Sequence, residues 1–95
     1  MQVRNINGTS DNDCRCESWL KHWERFSGST ASYCCVEGCI NNARVGAHVQ
    51  VGGLLSQTWY IVPMCSAHNN QRGGHLEISD YTPLVPANVK ETCGA

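Results

Sequence analysis

Charge is scarce in this 95-residue chain: 16% of its residues are Asp, Glu, Lys or Arg, and seven basic against eight acidic side chains leave a formal charge of −1. That excludes a general electrostatic attraction to nucleic acid, so any phosphate contact must come from a local basic patch. Long apolar runs are missing as well, so no segment reaches the length of a membrane span, and no apolar h-region follows Met1, which argues against export. There is no internal repeat and no low-complexity segment. Disorder is excluded in turn, because 41% of the residues are hydrophobic. A chain of this length makes one domain, 1–95, with a thin core that benefits from a staple. Both ends are expected to fray.

The chain is rich instead in cysteine, with seven, beside four histidines. The odd count and the Cys/His pairs at ligand spacing favour metal over disulfides, and with it a reducing, cytoplasmic setting. In that setting the sequon Asn7-Gly8-Thr9 goes unused. The organising stretch runs from Cys34 to Arg72. Cys35 and Cys39 form one soft-ligand pair and Cys65 and His68 a second, with a segment between them that reads as a β-hairpin; four such ligands suit tetrahedral zinc. Cys34 is an alternative to Cys35, since neighbours in a turn are not distinguished by sequence. Cys14, Cys16, His22 and Cys34 make a further four-ligand set that would staple an N-terminal helix to the zinc core, giving one zinc or two. His22 reads otherwise as a boundary residue with a hydrogen-bonded ring, and Cys93 as a free thiol.

Around these ligands the pattern is mixed. Gln2 to Ile6 is a short strand. From Glu17 to Phe26 the aromatic residues Trp19, Trp23 and Phe26 recur at helical spacing, with Gly28 as a stop. Between Arg44 and Val51 apolar Val45, Ala47, Val49 and Val51 alternate with Gly46, His48 and Gln50, which predicts a half-buried strand with His48 on its polar face. Gly52-Gly53 turns the chain, Trp59 to Val62 returns, and Pro63 ends the pairing. Ser66 to Arg72 predicts about two helical turns before Gly73-Gly74. Leu76 to Tyr81 alternates as a last strand, and 83–95 reads as a loose tail. The expected class is α+β, with a strand and helix in 1–28 ahead of a zinc-bound core at about 34–75.

A ligand knuckle, a hairpin and a short helix carrying the second ligand pair resemble the treble-clef (ββα-like) zinc fingers, and among them the HNH endonuclease family. Cys35 and Cys39 fall at that family's first pair, His48 at its strand histidine, and Gly52-Gly53 at its turn. In the closing helix Cys65 and His68 match the two cysteines, Asn69 the histidine and Arg72 the basic residue. The resemblance implies His48 as general base, with a divalent metal at the scissile phosphate. It also implies impaired catalysis, since Ala47 and Asn69 stand where the family places metal ligands.

Two principal functions are weighed. In one, zinc supports a binding module whose polar surface, Arg44, Asn69, Asn70, Gln71 and Arg72, contacts nucleic acid or a protein partner. In the other, the chain is an HNH-type nuclease with His48 as base and a carboxylate such as Asp80 replacing the missing ligand. A blander reading has Trp19, Trp23 and Phe26 docking on another subunit.

Overall fold

The alternation over residues 45–51 forms the strand at the centre of the molecule. The computed structural model describes residues 1–5, 18–51, 59–70 and 75–87. Within them the chain runs β1 (Gln2–Asn5), α1 (Trp19–Ser27), β2 (Val45–Val51), β3 (Trp59–Met64), α2 (Ser66–Asn69), β4 (His75–Glu77) and β5 (Val85–Pro86). All strand pairs are antiparallel, in the order β4-β1-β2-β3-β5, so the class is α+β.

The period-2 rule divides β2 between two buried environments. Ala47 and Val49, with Val62 opposite Ala47, join Val3, Met64 and Ile78 in a core that also holds Cys34, Cys35 and Cys65. Gly46, His48 and Gln50 turn to the other face, which α1 covers. Trp23 packs there on Ile61 and Val85, with Trp19 beside them. His48 is consequently only 5% exposed. The expectation that it lies on a polar face is corrected: the alternation holds, but a helix takes the place of solvent.

Helix α1 is held at both ends. The Ser18 hydroxyl accepts from Lys21 N–H at 3.1 Å, and Gly28, in the left-handed region at φ 74°, donates its N–H to Glu24 O. Glu24 also accepts from Ala31 N–H at 2.8 Å, a bond that holds its carboxyl below the ordinary value and ties the following loop to the helix. The aromatic stripe is mostly consumed inside: Trp23 donates Nε1–H to Pro83 O at 2.9 Å, and of Trp19, Trp23 and Phe26 only Phe26 is exposed, at 39%. That leaves little of the stripe for a second subunit.

Three further expectations change. Pairing continues through Pro63, opposite Gly46, as far as Met64. The Pro63 carbonyl accepts from Cys35 N–H, pointing away from β2, so its missing N–H removes no bond to β2. The last strand ends at Glu77, after which Ile78 makes a single bridge to Val36 and the chain turns at residues 79–82. The segment expected to begin a loose tail instead supplies β5, where Val85 pairs with Ile61 and is 3% exposed. Residues 88–95, with Cys93, lie outside the described residues, as do Ile6 and Gly52-Gly53.

Gly46 fixes how closely α1 approaches the sheet. A Cβ there would lie 2.4 Å from the Trp19 carbonyl carbon and 2.6 Å from Leu20 N, both backbone atoms. Gly46→Ala is expected to destabilise the fold by about 3 kcal/mol, the upper end for overpacking, as read from urea unfolding midpoints.

Candidate metal centre

Four side chains from three parts of the chain converge beside the larger core. The loop from Cys34 to Cys39 is shaped by backbone bonds, Cys34 N–H to Asn41 O at 2.9 Å and Cys39 N–H to Val36 O at 3.0 Å. Gly38 provides the one residue the turn needs at positive φ, 79°. Across from it, β3 delivers Cys65 to the start of α2, where its sulfur accepts from His68 N–H at 3.5 Å. That cap places the residue at i and the residue at i+3 on one side of the turn.

The ligand atoms of Cys34, Cys39, Cys65 and His68 all lie within 4.8 Å of one another. Cys39 Sγ is 3.9 Å from Cys65 Sγ, and His68 Nδ1 is 3.2 Å from Cys65 Sγ and 3.6 Å from Cys34 Sγ. A tetrahedral ion with the metal–sulfur and metal–nitrogen distances of zinc sets its ligands about 3.8 Å apart for S–S and about 3.5 Å for S–N. The group therefore fits one metal ion with four protein ligands. These cysteines and Cys35 are free thiols in the structure.

The electrostatics of the metal-free group show what an ion has to displace. Burial pushes the Cys34 thiol up to about 11. Burial also opposes ionisation of Cys65, but bonds from His68 N–H, Cys34, the His68 ring and Asn41 bring it down to about 6. Asn41, whose Nδ2 lies 3.9 Å from that sulfur, is a supporting residue with no signal in the ligand spacing. It belongs to a polar recess of about 470 Å³ formed with Ile40, Asn42, Arg44, Cys65 and Ser66.

Of the neighbours that sequence left undecided, the structure brings Cys34 into the group and leaves Cys35 out. Cys35 is fixed on both sides, donating N–H to Pro63 O and accepting from Ser79 N–H, and is buried in the core. Burial, then the neighbouring thiols, push it up to about 12. With Cys34 committed, the set Cys14, Cys16, His22 and Cys34 loses a member. His22 is fully buried, with Nε2 3.0 Å from Pro86 O, and Cys14 and Cys16 lie outside the described residues.

Among the expected surface residues, Arg44 is exposed on the recess and Asn70 is exposed at the end of α2. Asn69 is half-buried, its carbonyl accepting from Asn5 Nδ2 at 2.7 Å. Gln71 and Arg72 lie outside the described residues, and α2 is described only over Ser66–Asn69. His48 is on the other side of the sheet from the cysteine group, its ring edge-on to Trp19 at 4.6 Å and to Trp59 at 6.3 Å. Burial, then His22, lower its pKa to about 4. Asp80 is exposed in the 79–82 turn and pairs with the Met1 ammonium group.

Comparison with known proteins finds no matching family model, no similar curated protein and no similar solved structure.

Two outcomes test the centre. Cys34→Ser is expected to abolish metal binding at this group while Cys35→Ser retains it, as read from metal content after gel filtration. Metal affinity is also expected to rise at least tenfold per unit from pH 6 to 8. The Cys34 thiol must lose a proton to bind throughout that range, whereas Cys65 is already ionised above about 6. Competition with a chelator at each pH measures the slope.

Proposed function

We propose that the chain is a zinc-stabilised binding module of treble-clef type and not a working nuclease. The observation that carries this reading is the closed donor set of Cys34, Cys39, Cys65 and His68, which leaves a tetrahedral ion no position for water or substrate. Three thiols and an imidazole suit zinc better than magnesium or manganese, which prefer oxygen. The order of knuckle, β2–β3 hairpin and α2 supports the treble-clef assignment. A thiolate centre of this kind belongs in a reducing compartment, in keeping with the cytoplasm.

The alternative, an HNH-type endonuclease, asks His48 to act as general base. A side chain 5% exposed, with its pKa lowered to about 4, is a weak base withdrawn from water. Among the described residues the Cys34 group is the only Cys/His/acidic cluster fit for a metal, and His48 is not part of it. These features support binding over cleavage.

The recognition surface is the recess beside the zinc. Arg44 supplies charge, while Asn41 and Asn42 offer amides that donate to phosphate or to a peptide carbonyl. In a chain of net charge −1 one arginine gives weak, salt-sensitive contact. Fluorescence anisotropy with a labelled DNA or RNA oligonucleotide tests this. Binding should weaken with salt, and Arg44→Ala should reduce the slope of log Kd against log salt by about 1. Binding unaffected by salt or by Arg44→Ala would contradict nucleic-acid contact and leave a protein partner. Manganese-dependent cleavage of a duplex that disappears in His48→Ala would establish the nuclease instead.

A further inference from the structure

We propose that the recess beside the Cys34 group takes an unstacked nucleobase of single-stranded nucleic acid, seated on Ile40 and held at its edge by Asn42 and Arg44. This rests on the reading of that recess as the recognition surface and adds what it holds. The starting point is Ile40, which lines the recess and is 86% exposed, although it directly follows Cys39 of the metal group. The backbone on both sides is fixed: Cys39 N–H donates to Val36 O, Cys34 N–H to Asn41 O, Ala43 N–H to Ser32 O and Arg44 N–H to Met64 O. An apolar side chain on so rigid a support is preorganised for contact, because little is left to order when a ligand arrives.

The polar groups beside it are uncommitted. Asn41 turns its Nδ2 to the Cys65 sulfur at 3.9 Å. Among the described residues, by contrast, the Asn42 amide has no hydrogen bond and the Arg44 guanidinium no ion pair. In about 470 Å³ the recess thus offers an apolar surface, a planar cation and an amide with donor and acceptor side by side, and no carboxylate lines it. A nucleobase has the complementary form, an apolar face and a polar edge: apolar side chains and guanidinium planes carry the face, and amides pair with the edge. A duplex covers those faces in its own stack, which makes the occupant a single strand. Phosphate alone is a poorer match, since one arginine in a chain of net charge −1 gives little attraction and leaves Ile40 without a role.

Fluorescence anisotropy of the full chain, purified with zinc under reducing conditions, tests this at low salt. The probes are labelled DNA and RNA oligonucleotides, each offered as a single strand, as a duplex and as an abasic strand of the same length. Single strands are expected to bind about fivefold or more tightly than the other two forms, in DNA and RNA alike, because both carry the same base faces. Ile40→Ser is expected to weaken single-strand binding about fivefold, the low end for a lost base stack, with the salt slope unchanged, whereas Ile40→Leu keeps it. Equal binding of the three forms would overturn the proposal, as would wild-type affinity in Ile40→Ser. If Arg44→Ala still lowers the salt slope in that case, the recess contacts phosphate only, and its reading as a nucleic-acid surface survives without the base. Failure of every oligonucleotide to bind overturns both and leaves a protein partner.

Discussion

The structure depends on closing a loop. Cys34 and Cys39 meet Cys65 and His68 across the whole of the β2–β3 hairpin, and the ligand atoms come together within 4.8 Å. A metal ion held by all four ligands supplies binding free energy directly as folding free energy. The cysteines also serve the core: Cys34 and Cys65 pack with Val3, Ala47, Val49, Val62, Met64 and Ile78, so the metal group is continuous with the apolar cluster.

The sheet separates two environments that the strand alternation sets apart. One face carries the thiols and the larger core; the other carries His48, Ile61 and the underside of α1. Gly46 keeps the helix close, and Trp23 fills the contact with Ile61 and Val85. This division bears on chemistry. The residue best suited by type to general-base work is sealed beneath a helix, while the exposed recess with Arg44 lies next to the Cys34, Cys39, Cys65 and His68 group.

Much of this was legible in the sequence. Helix α1 announced itself by Trp19, Trp23, Phe26 and Gly28, and β2 by its alternation, because those signals act over a few residues. The metal group was legible as two ligand pairs, but not as Cys34 over Cys35: the choice depends on Cys35 being pinned between Pro63 and Ser79, a long-range contact that leaves no local trace. His48 was misread for the same reason, since strand alternation says which residues share a face and not what covers it. Strand β5 was hidden because Pro86 normally argues against a strand. It is tolerated here in a two-residue edge strand, the position where a missing N–H costs least.

The measurement that tests the central claim most directly is thermal unfolding of the protein with zinc bound and after its complete removal under reducing conditions, followed by near-UV circular dichroism and calorimetry. The account predicts a cooperative transition for the zinc form, and for the metal-free chain a collapsed tryptophan signal with no transition, restored when zinc is returned. A metal-free chain that keeps both its near-UV spectrum and its cooperative transition would contradict it, because the fold would then stand on its apolar core alone.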